Sequence, residues 1–440
     1  MRAPASLAAL FAALCAASAA RANPIDAFGF GARAAGLASA GTAVADDASA
    51  NYYNPGALAF ASSLRLDLGY RYASPHLRLD GKDQPADAAH GSQIGVVIPS
   101  RLGPLAFAVG LALALPDQGL LEVKTQPYTA PRFVAYGSRL QRLFAAANLA
   151  VRLAPGLSLG GGLSFLSGTS GAVGLQGVVG VTNPATSTLV SRIDVSLLSV
   201  RYPQAGLLWE PDPRVRVGLA FRGSYTLHLD TTLRIEGNLG DPGYAPLVKG
   251  GFFEVQTHVV EMFQPWQLAL GLALRLRPDL LLALDATFAR WSAAPAQQPL
   301  TDSLDLGALT PLVHLTPPPL YPSPDLRDTV TPRAGVEWRA RDRDGVALSL
   351  RSGAAYERSP VPEQTSETNL ADGDKLTFAL GFGVEGQKPW GLLDGSAGLD
   401  LHLSATWMLP RANHKRDVAQ PDFVASGLLW QAGTTARLRF

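Results

Sequence analysis

Residues 214–230 read R-V-R-V-G-L-A-F-R-G-S-Y-T-L-H-L-D. Val215, Val217, Leu219, Phe221, Tyr225, Leu227 and Leu229 fall on one parity, and Arg214, Arg216, Arg222, Ser224, Thr226, His228 and Asp230 on the other. A period of two puts these sets on opposite faces of a strand. At ~3.3 Å per residue the run is about 55 Å long, far beyond a globular strand of ~5–6 residues. A tilted strand that crosses a bilayer and protrudes fits that length.

The pattern recurs. Leu64, Leu66, Leu68, Tyr70 and Tyr72 alternate with Arg65, Asp67, Gly69 and Arg71. Leu105 to Leu115 alternates with Ala106 to Ala114, Trp266 to Leu276 with Gln267 to Arg277, and Leu399, Leu401, Leu403 and Trp407 with Asp400, His402, Ser404 and Thr406. Large apolar partners suit lipid, and small or charged partners suit a lumen. A soluble sandwich would need a charged exterior, yet Asp, Glu, Lys and Arg make up only 17% of the chain, against roughly 25% in average soluble proteins. The formal net charge of +1 leaves no basic field for nucleic acid, and 47% hydrophobic residues exclude a charged disordered chain.

Fourteen strands are expected, near 63–73, 91–99, 104–115, 139–153, 157–167, 193–210, 214–230, 251–277, 280–291, 328–341, 345–358, 375–387, 395–409 and 424–440. The eighth should bend near Pro265. The connections alternate between short turns, such as Ala154-Pro155-Gly156 and Pro278-Asp279, and long links at 74–90, 116–138, 168–192, 231–250, 292–327, 359–374 and 411–423. Outer-membrane barrels have short periplasmic turns and long external loops. The expected fold is therefore all-β, a 14-stranded antiparallel transmembrane β-barrel of residues 63–440 in the outer membrane of a Gram-negative cell, with both ends on the periplasmic side.

Residues 1–22 read as a signal peptide. Arg2 supplies the positive end, Leu7 to Ala17 the apolar stretch, and Ala20-Arg21-Ala22 the cleavage site. Cys15, the single cysteine, lies within it, so no disulfide or cysteine zinc site is expected. Lipidation of Cys15 is disfavoured by the bulky Leu14 before it. The last residues, Thr434 to Phe440, alternate and end in Phe, resembling the signal read by the barrel assembly machinery.

Residues 23–62 should fill the lumen. Positions 23–60 are rich in Gly and Ala and lack strand alternation, and small residues permit close packing. The segment should start at the periplasmic mouth. Asp46, Asp47, Asn51 and Asn54 can satisfy buried backbone and inward arginines, and Asn54-Pro55-Gly56 should form a rigid turn into the first strand.

This stretch resembles the amino-terminal hatch of the OmpP1/FadL/TodX group of long-chain fatty acid transporters. Gly36, Gly41, Ala45 to Ser49 and Tyr53-Asn54-Pro55 match its pattern, with Gly56 where Ala is usual. Gln264 to Trp291 is similar to the family's paired strands. Gly353 to Glu385 is similar to its segment with Tyr356, Ser359-Pro360-Val361-Pro362 and Asp372-Gly373-Asp374-Lys375, where Ala371 replaces a common Pro and Lys375 a common Arg. The resemblance implies a monomeric barrel, not an enzyme, without a cofactor. It implies capture of hydrophobic molecules at external loops, binding inside, and lateral or periplasmic release once the hatch moves. Long-chain fatty acids are the expected cargo, with aromatic hydrocarbons or other lipids as the alternative. A hydrolase or adhesin barrel is the more distant alternative. Outer-membrane lipid and lipopolysaccharide are expected neighbours.

Arg142, Arg152, Arg222, Arg275, Arg351 and Lys375 face inward on this parity and are the candidates for a ligand carboxylate. The competing assignment pairs lumen arginines with Asp67, Asp194, Asp285 and Asp400. An acyl chain supplies most of the affinity at ~0.8 kcal/mol per buried CH₂, so the head-group contact should orient the ligand. The histidines show no metal-ligand spacing.

Overall fold

The structure, a computed structural model, describes residues 28–117, 130–133, 142–179, 188–239, 248–295, 300–305, 325–343, 345–387, 395–416 and 418–440. The signal peptide 1–22 and positions 139–141 of the expected fourth strand lie outside them.

Fourteen antiparallel strands close into a barrel. They are β1 (Arg65–Leu79), β2 (Ala89–Leu102), β3 (Leu105–Pro116), β4 (Phe144–Ala154), β5 (Leu157–Val179), β6 (Thr188–Asp212), β7 in two pieces (Val215–Arg222 and Tyr225–Leu239), β8 in two pieces (Val248–Gln264 and Gln267–Arg277), β9 (Leu280–Ala289), β10 (Thr329–Arg343), β11 (Val346–Glu357), β12 (Lys375–Gln387), β13 (Ser396–Asn413) and β14 (Phe423–Arg439). Closure is the ladder of β1 on β14, from Arg65↔Arg439 to Leu79↔Ala425. No strand edge is left along that seam, as a bilayer requires. Among the described residues no helix is long and apolar enough to cross a membrane.

The outward parity is apolar and exposed, as at Leu68, Leu111, Leu270, Leu380 and Leu403. Tyr72, Trp407 and Trp430 stand toward the outer rim. Trp209 and Trp338 stand beside the short periplasmic turns. Aromatic rings at both interfaces are a barrel's usual anchors. The inward parity is small or polar, as at Ala108, Ala112, Ala273 and Asp400.

Two expectations change. The alternation of 214–230 inverts at Gly223-Ser224. Phe221 faces out, but Tyr225 and Leu227 are buried with Met262. The Gly223 N–H donates to Pro203 O at 2.8 Å, and the two residues step out of the ladder, so the next strand residue presents its other face. In β8 the interruption falls at Pro265-Trp266, where the bend was expected. Residues 168–179 and 231–239 are also strand rather than loop. Beyond Gly223, β7 pairs in parallel with β5, from Thr231↔Gly171 to Leu239↔Val179. Strand Leu300–Asp305 adds to β8 on its other edge. A second sheet in the order β6, β5, β7, β8, 300–305 thus stands above the barrel wall.

Residues 28–61 run inside the barrel, through α1 (Ala32–Ala35), α2 (Ala50–Tyr53) and a 3₁₀ turn over Pro55–Phe60. Phe28, the first described residue, lies in the outer half of the lumen, and the expected entry of the segment at residues 23–27 lies outside the described residues. Phe28 packs on Ala73, Ala89 and Leu429, and Gln431 Nε2 donates to Phe28 O at 2.7 Å. The packing surface is a belt of glycines on the inner wall. Gly95, Gly110, Gly160, Gly206, Gly218, Gly271, Gly335, Gly353 and Gly381 each lie where an added Cβ would strike this segment. Glycine weakens a strand but admits a close backbone approach.

Candidate lumen site

The segment is tied to the wall by polar contacts. Asn51 is fully buried. Its Nδ2 donates to Ala48 O (3.0 Å), Val96 O (3.3 Å) and Leu111 O (3.2 Å), and its own oxygens accept from Asn148 and Gln204. Asn54 Nδ2 donates to Thr42 O (2.8 Å) and Leu207 O (3.0 Å), while its Oδ1 accepts from Gly56 N (3.0 Å). The extended backbone of Asn54 leads into Pro55 at the first turn of the 3₁₀ helix, a position that needs no N–H. Asp47 Oδ1 accepts from the Ser49 N–H and hydroxyl. Asp46 pairs with Arg33, a residue not among the sequence candidates.

Arg33 begins a chain of alternating charges across the inner wall. Glu337 lies between Arg33 (2.8 Å) and Arg351, Asp400 between Arg351 (2.7 Å) and Arg437, and Glu385 between Arg437 (3.8 Å) and Arg439 (3.4 Å). Arg351 is thereby committed to Glu337 and Asp400.

Above the segment lies a cavity of about 1140 Å³, counting its mouth. Tyr52 and Tyr53 line it from the segment, and Thr287, Thr329, Thr331, Thr377 and Thr406 from the strands. Of the six cations predicted, the structure brings Arg222 and Lys375 to this cavity. Arg222 donates to Tyr52 O (3.1 Å) and Gln267 Oε1 (2.7 Å), with its guanidinium 4.5 Å from the Tyr52 ring centre. Lys375 lies 3.1 Å from both Glu357 and Asp372. The other four lie elsewhere. Arg142 is buried at the outer end of β4. Arg152 stacks over Phe60, 4.5 Å from its centre, at the periplasmic end. Arg275 is exposed at the periplasmic mouth near Arg216 and Arg339. Arg351 sits in the charge chain.

The cavity holds a cation the prediction missed. Arg333 stands opposite Asp285 on neighbouring strands and donates to Thr287 Oγ1 at 2.8 Å. The signal was present in the sequence, since Thr329, Thr331 and Arg333 share one parity. Asp285 Oδ2 accepts the Thr42 N–H at 2.9 Å, which binds this wall to the amino-terminal segment.

At the cavity's outer side, Val260, Phe263, Leu326, Val361 and Leu370 form an apolar cluster with Trp291. The link 358–374 folds inward to supply two of these residues. Ser359 Oγ donates to Asp372 Oδ2 at 2.6 Å. Asp374, just before β12, accepts from the Tyr356 hydroxyl (2.6 Å) and the Ser359 N–H (3.0 Å). Burial opposes its charge, but these two donors and Arg411 outweigh burial and hold its carboxyl below the ordinary range.

Among the described residues no cluster of His, Cys, Asp and Glu could hold a metal. A search of curated proteins finds no match. Solved structures share the fold. A Pseudomonas aeruginosa FadL homologue aligns with TM-score 0.61 and 17% identity over 92% of this chain and 98% of that one. The Pseudomonas putida toluene transporter TodX aligns with TM-score 0.54 and 14% identity over 96% and 100%. The Ralstonia pickettii toluene transporter TbuX gives 0.53 and 15% over 94% and 99%. The family model described as outer membrane protein transport protein (OMPP1/FadL/TodX) matches residues 13–394. A closed fourteen-strand wall, an occupied lumen and that match together place the chain in the OMPP1/FadL/TodX family of outer-membrane transporters of hydrophobic compounds.

Proposed function

We propose that this barrel imports long-chain fatty acids, with residues 23–62 as a hatch that gates the path. The observation that carries this reading is the pairing of an apolar outer cluster with a cationic, threonine-lined cavity beneath it. A chain with an acidic head uses both parts. An aromatic hydrocarbon, such as the toluene carried by the transporters TodX and TbuX, uses only the first. Burying the chain at ~0.8 kcal/mol per CH₂ supplies the affinity, and one charge-assisted bond, ~1.5–3 kcal/mol, sets the orientation. Arg333 is the favoured partner for the carboxylate, because Arg351 is already held between two acids and Lys375 between two more. Release follows movement of the hatch, which is held on the glycine belt both by polar contacts and by an apolar interface in which Leu37, Tyr52 and Leu58 cluster with Phe144, Tyr202 and Leu208 of the wall. The barrel acts as a monomer, surrounded by lipid and lipopolysaccharide after delivery by the assembly machinery through Phe440.

The test is binding to the purified barrel in detergent. Hexadecanoic acid should bind at least about tenfold more tightly than toluene, and Arg333→Met should remove most of that preference. Toluene bound as tightly as the acid by the unmodified protein would reject the reading.

A further inference from the structure

Two cavities stand on the same stretch of wall, one on each side of the hatch. The upper one, beside Arg333, is lined by Ala269 of β8, Asp285 of β9 and Thr42 of the hatch. The lower one, about 780 Å³ counting its mouth, lies at the periplasmic end and is lined by Ala273 of β8, Leu281 of β9, and Ala43 and Val44 of the hatch. Each wall position has moved four residues along its strand, or about 13 Å. Between the cavities Thr42 and Ala43 press on Gly271, where an added Cβ would lie 2.8 Å from both Ala43 N and Thr42 Cβ. The Thr42 N–H bond to Asp285 Oδ2 holds this barrier against the wall. Just before it, Ala38 (φ 52°) and Ser39 (φ 64°) keep a left-handed backbone, so strain is stored next to the barrier.

Arg214 and Arg275 both line the lower cavity. Arg275 N donates to Arg214 O at 2.8 Å, one step beyond the pair Leu274↔Val215, so the two are cross-strand neighbours on the inward face. Like charges directly opposite one another destabilise a sheet. Both residues are exposed, and among the described residues neither guanidinium has a hydrogen bond or ion pair. The acids of the cavity are already engaged, Asp46 and Glu337 with Arg33, and Asp279 with Arg277 and Trp338. Its other cations are Arg216, paired with Glu210, and Arg339. A carboxylate set between two guanidiniums offsets their repulsion and accepts from both. We infer that this vestibule is a second carboxylate site, where Arg214 and Arg275 receive the acidic head once Thr42 and Ala43 leave Gly271, and that cargo departs toward the periplasm down β8 and β9. This rests on the fatty acid reading and adds its exit.

The experiment has two arms, both on the full barrel. Hexadecanoic acid carrying a diazirine beside the carboxyl is photolysed with the unmodified protein in detergent, and the labelled peptides are identified by mass. Label should fall around Arg333 and also within 213–216 or 273–281. Uptake of hexadecanoic acid is then measured in Gram-negative cells that lack a fatty acid transporter of their own. Arg214→Gln combined with Arg275→Gln should lower uptake at least about fivefold while binding in detergent stays within about twofold of the unmodified protein, with heat-modifiable gel mobility confirming a closed barrel. Arg214→Lys combined with Arg275→Lys should restore most of the uptake. Label confined to the surroundings of Arg333, or unchanged uptake in the Gln pair, overturns the vestibule site and leaves the fatty acid reading standing. A loss that the Lys pair does not restore overturns the role of the charges. Absence of binding and of label anywhere in the unmodified barrel rejects this inference and the fatty acid reading together.

Discussion

Gly160→Ala should loosen the hatch without opening the barrel wall. Gly160 faces the Asn54-Pro55-Gly56 turn. An added Cβ would stand 2.5 Å from the Pro55 carbonyl carbon and oxygen and 2.7 Å from Gly56 N. These are backbone atoms, so no side chain can rotate away. Ordinary carbon contacts lie near ~3.5–4 Å, and the turn must therefore retreat by about an ångström. Overpacking of this kind costs ~1–3 kcal/mol. The same retreat stretches two bonds, Ser158 Oγ to Gly56 O (2.7 Å) and Asn54 Nδ2 to Leu207 O (3.0 Å), each worth ~0.5–1.5 kcal/mol. Together the docked hatch loses about 2–6 kcal/mol, which raises the undocked population by roughly 30-fold to more than ten-thousand-fold. Single-channel recording in planar bilayers should show frequent openings that the unmodified protein lacks. Gly161→Ala is the control, because Gly161 lies on the opposite parity and its Cβ would meet only wall atoms, Gln204 O at 3.3 Å first. If Gly160→Ala is folded by gel mobility yet as quiet as Gly161→Ala, the glycine belt does not hold the hatch.

Four further outcomes are expected. Deleting 23–40 behind an intact signal peptide should leave a folded barrel with raised ion conductance and weaker ligand retention, and unchanged values would make the segment a tether. Liposomes carrying the unmodified protein should swell slowly in sugars, and porin-like rates would count against a closed lumen. Glu337→Gln removes the carboxylate between Arg33 and Arg351, and breaking a buried pair costs about 3–5 kcal/mol, so the heat-modifiable transition should fall by several degrees. An unaltered transition would deny that bridge a structural role. Because the carboxyl of Asp374 is held below its ordinary range, its ionised form stabilises the 358–374 link above the unfolded value and is lost only as pH falls through the depressed folded one. Proteolysis of that link should therefore accelerate only below about pH 4, whereas Asp374→Asn should accelerate it at pH 7, and equal rates for both proteins at pH 7 would refute the reasoning.

The wall was legible because lipid demands large side chains on one parity. Leu68, Leu111, Leu270 and Leu403 could be assigned from sequence for that reason. Legibility stopped where the ladder was interrupted. Nothing in Gly223-Ser224 announces that Tyr225 will turn inward, because the inversion depends on the bond to Pro203 on another strand. Residues 168–179, rich in Gly and Ser, read as loop, yet they gain strand form from partners on β6 and β7. Parity gave the face of each cation but not its depth. Arg152 and Arg275 share the inward parity with Arg222, yet sit at the periplasmic end. Partners were equally hidden, since Glu337 meets Arg351 only through the register of β10 on β11. Asn54-Pro55-Gly56 was readable because Pro55 constrains its own turn.

The contacts between the lumen segment at Phe28 and Ala32 and the last strand carry a consequence for biogenesis. Ala32 N donates to Thr435 Oγ1 at 2.9 Å, and Gln431 Nε2 donates to Phe28 O at 2.7 Å, so β14 holds residues 28–32 of the lumen segment as well as β1. A backbone threaded through a closed cylinder cannot be introduced after the cylinder is sealed without drawing its free end through the bore. The straightforward order is for the wall to curl around the amino-terminal segment and for β14 to zip last. Until that segment is seated, the glycine belt faces a void and β14 lacks two of its inner hydrogen bonds. The final seam is thus most stable when the interior is already filled, and completion of the wall reports that the bore has been loaded.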